Sequence, residues 1–243
     1  VKNFIFWLLL KYPKNVIVNS KNFKKELDKK FNLNSKVIYN PLNKDELIKK
    51  SKKKCNFDFF NTKKELKIIN VARFTDQKDH ITLLKAFNIV RKKIPARLLL
   101  IGYGSNKNKI LNFVRLNKLK NLVRIINFNY NPFKYIAKTD LFVLSSLYEG
   151  LPNVILEAMV LKKYVISSNC PTGPSEILKN GKFGSLFPIK NYKKLSYLIL
   201  DYYKNRKKYN SKTLKAFRSL HRFNKEKNCK LYLLEVQKLM KSY

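Results

Sequence analysis

The stretch DLFVLSSLYEGLPNVILEAM, residues 140–159, decides the fold. Its opening run, DLFVLSS at 140–146, is apolar at nearly every position and reads as a strand. Gly150 and Pro152 then shape a loop, and Asn153 is a good capping residue, so a helix is expected from about that point. Glu149 stands just before the helix start. Glu157 falls eight positions later, about one helical turn in, among Val154, Ile155, Leu156, Ala158 and Met159. A carboxylate with such neighbours is not an ordinary solvated charge. The free N–H groups and positive dipole end of a helix start suit phosphate oxygens. Glu149 can face a ligand there. Glu157 can accept hydrogen bonds from ribose hydroxyls, or pair with a nearby lysine.

Working outward, the same strand-then-helix rhythm repeats. Strands are predicted at NVIVNS (15–20), KVIYN (36–40), LKIINVA (66–72), ARLLLIG (96–102), LVRIINF (122–128) and YVISSN (164–169). Ser20 is expected to cap a helix reaching about Phe31, and Pro41 to stop the second strand. Further helices are expected near 80–93, 106–118 and 132–138, and throughout from about 190. Pro174 opens a short helix, and Asn180-Gly181 makes a turn. Most aromatics fall in these strands and helices and read as core. Alternation of this kind predicts an α/β fold, a Rossmann-like doubly wound parallel sheet covered on both faces, with right-handed crossovers. Ligands of such sheets lie beyond the carboxyl ends of the strands, so the residues just after each strand carry the chemistry.

Those residues are informative. ARFTDQKD follows the strand at 66–72 and offers Arg73 and Lys78, a planar fork and a point charge that suit a diphosphate. IGYGSN follows the next strand, with Gly102 and Gly104 allowing a tight turn and close backbone approach. CPTGPSEIL, 170–178, places Gly173 before another helix start, and its Glu176 is expected to cap or orient the loop. No D-x-D occurs, so no metal is expected against the phosphates. Arg73, Lys78 and helix N–H groups would neutralise a leaving diphosphate instead.

The chain carries 53 basic and 15 acidic residues, a net charge of +38. Such a field attracts polyanions. The lysines are scattered along the whole chain, with local runs at KKSKKK (49–54) and KNRKK (204–208) that read as polar helix faces. The charge therefore reads first as biased composition with solvated faces, and an anionic membrane surface is the alternative; no nucleic-acid-binding module is recognisable, so nucleic acid is not an expected partner. Cys55, Cys170 and Cys229 are far apart and support neither a zinc site nor a disulfide framework, which fits a reducing, cytoplasmic compartment. His80 and His221 are isolated and read as structural. The apolar run at 4–10 is far short of the ~20 residues that span a bilayer. It reads as the end of a buried helix.

Taken together, VARFTDQKDHITLLKAF, LLLIGYG, LFVLSSLYEGLPNVILEAM and NCPTGPSEIL resemble the group 1 (family 4) glycosyltransferases of GT-B fold. The E-x₇-E pair, Glu149 and Glu157, is that family's best-known signature. The resemblance implies that Arg73 and Lys78 bind the donor diphosphate, that Glu149 lies close to the donor sugar and that Glu157 binds the ribose. It implies that the backbone of Gly150, Leu151, Pro152 and Asn153 contacts sugar and phosphates. It implies transfer with retention of anomeric configuration and without a metal. The donor would be a UDP-sugar, such as an N-acetylhexosamine, and the acceptor a glycan or polyprenyl-linked oligosaccharide of a surface polysaccharide. Two departures stand out: Asp79 where the family often has glycine, and Ser105 where it often has proline. Length is a third. GT-B enzymes have two similar lobes, and here residues 1–41 read as the tail of the first, 42–65 as a linker, 66–210 as the nucleotide-sugar domain and 211–243 as C-terminal helices. The last helix, near 224–241, would cross back toward the first lobe. The acceptor site and its histidine would then come from a separate N-terminal lobe chain, or the chain would bind donor without transferring it.

Overall fold

The computed structural model describes residues 15–55, 57–60 and 64–241. The apolar run at 4–10 lies outside them. The chain forms two compact units, Val1–Asn43 with His221–Tyr243, and Lys44–Leu220.

In the smaller unit, β1 (Ile17–Val18) pairs in parallel with β2 (Lys36–Val37) around α1 (Lys21–Phe31). Ser20 caps α1, its hydroxyl accepting from Phe23 N at 3.2 Å. The larger unit runs α2 (Lys44–Ser51), β3 (Leu66–Val71), α3 (His80–Val90), β4 (Ala96–Ile101), α4 (Lys107–Leu116), β5 (Val123–Ile126), α5 (Phe133–Ile136), β6 (Leu141–Leu144), α6 (Asn153–Val160), β7 (Tyr164–Ser168), α7 (Pro174–Ile177), β8 (Ser185–Phe187), α8 (Tyr192–Lys204) and α9 (Arg206–Arg218). The last helix, α10 (Lys225–Met240), belongs to the smaller unit, where Tyr232 donates to Ile38 O at 3.3 Å and Leu42 N to Phe223 O at 2.8 Å.

The larger unit's sheet has six parallel strands in the order β5-β4-β3-β6-β7-β8. The period of two sends Ile68, Leu98, Leu100, Val143 and Ile166 to one face, in a single core with Leu83, Leu84 and Phe87 of α3 and Leu195 and Ile199 of α8. The alternate residues Ile69, Leu99, Phe142 and Val165 are just as buried, so the other face is covered too. That explains the strands' unbroken apolar character, and the sheet is the expected doubly wound one.

The divisions fall elsewhere than at 42, 66 and 211. The segment expected to link two lobes packs onto the larger unit from Lys44. Leu47, Phe59 and Phe60 are buried, and Phe57 meets the ring of Tyr135 at 5.2 Å. The larger unit also continues through α9, because Tyr209 packs 4.6 Å from Tyr164 and Ala216 is buried. Lysine-rich composition marked exposure correctly but hid these few apolar anchors.

The strand order places a switch between β3 and β6. From β3 the chain moves outward through β4 and β5, then returns to start β6 on β3's other side. The β3–β6 ladder is short, with Ile68 opposite Leu141 and Ile69 opposite Phe142. Beyond it the buried Asn70 side chain donates to Val143 O at 2.8 Å, an amide bridge where the backbones part. A crevice opens at such a point.

Candidate functional site

The loops after β3 and β6 meet over that crevice and are tied together. Ser145 Oγ donates to the carbonyls of Lys78 and Asp79, at 3.0 and 2.9 Å. Leu147 N donates to Gln77 O at 2.8 Å, and Gln77 Nε2 to Tyr148 O at 2.9 Å. These bonds bring Lys78 Nζ to 2.6 Å from Glu149 Oε1, with the two side chains 14% and 7% exposed. Ser146 Oγ donates to the same oxygen at 2.6 Å. A pair this enclosed costs several kcal/mol to break by removing one partner, because the other is left charged and buried.

Asp79 explains one departure from the family pattern. Its φ is 41°, in the left-handed region that glycine enters freely. Aspartate tolerates that region and adds a helix cap here, with Oδ1 accepting from Thr82 N at 3.2 Å and Oδ2 from Thr82 Oγ1 at 2.7 Å.

A second buttress comes from the loop after β7. Ser168 Oγ donates to Ser146 O at 2.6 Å, and Thr172 Oγ1 donates to Glu149 O. Gly173 lies at φ 53°, and a Cβ on it would stand 1.8 Å from Gly150 O. Only glycine fits this crossing of two loops. Gly150 itself has nothing within 4 Å of its own Cβ position, so the backbone there is open to approach.

The helix that follows has its N-cap one residue before the expected one. Pro152 occupies the N-cap in extended conformation and Asn153 is already the first helical residue, so the Asn153 cap is not formed. Proline's fixed φ suits this boundary. Leu151 and Pro152 are buried, while Asn153 is exposed.

Beside the crevice lies a cavity of about 350 Å³ at the carboxyl ends of β3, β4 and β5. Arg73, Gly102 and Glu157 line it, with Tyr103, Phe128 and Tyr130. Gly102 permits the close approach of the β3 and β4 loops, since a Cβ would meet Ala72 O at 2.0 Å. Gly104 is exposed just beyond. Arg73 is exposed and its side chain holds no partner among the described residues. Burial pushes the Glu157 carboxyl up to about 7. The lysine pairing left open for Glu157 is not formed among the described residues. His80 is buried against the edge of Phe74 at 5.0 Å, and burial takes it down to about 4, so it is neutral packing.

Sequence reasoning missed the aromatic wall. Tyr103, Phe128 and Tyr130 are 56%, 56% and 91% exposed. Phe128 meets Tyr103 at 5.8 Å and Tyr130 at 5.0 Å, both nearly perpendicular. They are not core. The strand expected to end at 128 ends at Ile126, which puts Phe128 in the loop. The Asn-rich NFNYNP (127–132) was the available signal. Ser146 and Thr172, which position Glu149, carried no sequence signal.

Among the described residues no cluster of His, Cys, Asp and Glu could hold a metal ion. None of their helices is long and apolar enough to cross a membrane.

A parallel sheet with cations, an acid pair and a helix start at its switch point has the arrangement in which open α/β sheets carry their ligand sites. The sequence profile of the glycosyl transferases group 1 matches residues 51–218, and the chain belongs to that family. An uncharacterized glycosyltransferase of Methanocaldococcus jannaschii is 36% identical over 173 residues, 69% of this chain and 43% of the relative. The N-acetylgalactosamine-N,N'-diacetylbacillosaminyl-diphospho-undecaprenol 4-alpha-N-acetylgalactosaminyltransferase of Campylobacter jejuni is 27% identical over 191 residues, 76% of this chain and 50% of the relative. The chain thus spans about half the length of the relatives it matches. The crystal structure of Anabaena HepE in complex with UDP-glucose superposes with a TM-score of 0.81 at 18% identity, covering 95% of this chain and 65% of that one.

Proposed function

We propose that the larger unit binds the donor of a retaining glycosyltransferase, which moves a sugar from UDP to a glycan or lipid-linked acceptor in surface polysaccharide synthesis. The carrying observation is the convergence of Arg73, Glu157 and three exposed aromatics on one cavity, at the same carboxyl end of the sheet as the Lys78–Glu149 pair. In this reading the aromatic wall takes the base, Glu157 the ribose hydroxyls, and Arg73 with the α6 N-terminus the diphosphate. Lys78 and Glu149 stand at the diphosphate–sugar junction. As the C1–O bond to the diphosphate breaks, the acceptor hydroxyl oxygen bonds to C1 on the same face of the sugar and its proton passes to the departing phosphate oxygen. The leaving charge is neutralised by Arg73, Lys78 and backbone N–H groups, without a metal. The UDP-glucose complex of HepE and the undecaprenol-linked acceptor in the Campylobacter enzyme's name support the donor and acceptor classes. The net charge of +38 supports work on the anionic cytoplasmic face of a membrane.

The test is thermal unfolding at physiological salt with UDP, GDP or single-stranded DNA. UDP is expected to raise the midpoint most, a ligand at a hundredfold excess over its dissociation constant adding about 2.7 kcal/mol. An equal rise with DNA, or none with UDP over a cooperative transition, overturns the reading. The alternative reading is a nucleotide-sugar-binding subunit that transfers nothing alone. Turnover with acceptor by this chain alone would rule it out.

Ribose hydroxyls donate to an ionised carboxylate, so uridine binding should strengthen as Glu157 loses its proton. With the carboxyl at about 7, affinity is expected to rise roughly tenfold between about pH 6 and about pH 8. Glu157→Gln should flatten that slope in calorimetric titration; a slope that survives contradicts the role. Phe128→Ala is expected to weaken uridine by about tenfold, since stacking on an aromatic is worth about 1–3 kcal/mol per base. Ribose 5-phosphate, which has no base, should bind as before.

A further inference from the structure

The Lys78–Glu149 pair has a consequence for product release that rests on the donor-site reading above. Both members are enclosed, and Glu149 Oε1 already receives two donors, Lys78 Nζ and Ser146 Oγ, each at 2.6 Å. The proposed ligand makes opposite demands on the two side chains. Its diphosphate needs the Lys78 ammonium. Its sugar offers hydroxyl donors to the Glu149 carboxylate. A sugar-loaded nucleotide satisfies both, because sugar hydroxyls replace the ammonium on Glu149 and leave Lys78 to the phosphates. A nucleotide that has lost its sugar brings negative charge to a lysine that Glu149 still holds, and faces that carboxylate unshielded.

We propose that Glu149 is a specificity-determining residue. It competes with the diphosphate for Lys78 and so makes the site prefer the sugar-loaded nucleotide over the spent one. The sugar is then what releases Lys78, and its departure with the acceptor returns Lys78 to Glu149 and expels the nucleotide.

Dissociation constants of UDP, UDP-glucose and UDP-N-acetylglucosamine test this by calorimetry on the full chain. Glu149→Gln is isosteric and removes the competing charge. It is expected to tighten UDP by about tenfold or more, since like charges in contact cost several kcal/mol. It should leave the better-binding UDP-sugar unchanged or weaker, so the preference collapses. Adding Lys78→Met to that variant should abolish the gain for UDP. Ser146→Ala is the second arm and does not leave a buried charge unpaired. It removes the rival donor, ties Glu149 more closely to Lys78, and is expected to shift the preference the other way, further toward UDP-sugar. The proposal is overturned if UDP binds folded Glu149→Gln no tighter than wild type, or if Ser146→Ala lowers the preference for UDP-sugar. Should wild type bind neither UDP nor a UDP-sugar, the donor-site reading fails, and that result is distinct from nucleotides that bind with a preference neither variant moves.

Discussion

Arg73→Ala is expected to weaken UDP binding by about 30- to 100-fold, the loss of one charge-assisted contact worth about 2–3 kcal/mol. Arg73 lines the cavity, and its exposed guanidinium has no partner among the described residues. Its charge is therefore available to a ligand and is not spent on the fold, so the unfolding midpoint without ligand should stay within a degree or two. Uridine carries no phosphate and is the control: its affinity should change by less than about twofold. Equal losses for UDP and uridine would mean that Arg73 shapes the cavity and does not bind the diphosphate. Arg73→Lys should recover part of the affinity, because an ammonium restores the charge but not the planar fork.

A large loss of stability is expected at Gly173. Alanine there adds a Cβ 1.8 Å from Gly150 O and must hold φ 53°. The left-handed backbone costs about 1–2 kcal/mol, and forcing atoms into a packed crossing about 1–3 more. A loss of about 3 kcal/mol lowers the midpoint of a unit this size by roughly 10 °C. Relief of the clash has to move the 149–150 backbone, which Thr172 also holds through Glu149 O. Nucleotide stabilisation should therefore fall in the same variant. A midpoint close to wild type would show that the two loops can part without cost.

These variants bear unequally on what could be read beforehand. Arg73, Lys78 and Glu149 stood out in the sequence because they lie in loops that follow strands of strong apolar pattern, and Glu157 because it is an acid inside an otherwise apolar helix. Lys78 and Glu149 lie 71 positions apart, yet each was assignable to the end of its own strand. Their direct pairing was not legible. It depends on β3 and β6 becoming neighbours and on Ser145, Gln77 and Tyr148 joining the two loops. The cap at Asn153 was misplaced by one residue, since proline and asparagine both suit a helix boundary and only backbone geometry separates them. The segment 42–65 looked like a linker because the four buried apolar side chains among its described residues, Leu42, Leu47, Phe59 and Phe60, are few among its lysines.

The sequence by itself determined the α/β class, the order of strands and helices apart from the short edge strand β8, and the loops that bear the polar groups. Each of these follows from local periodicity and turn chemistry, which neighbouring residues carry between them. The tertiary structure alone decided that Glu149 and Lys78 neutralise one another, that Gly173 crosses Gly150, and that Tyr103, Phe128 and Tyr130 form a wall and not a core. Burial, charge pairing and steric exclusion are properties of segments distant in the chain. They come into being only when the sheet's order brings those segments together.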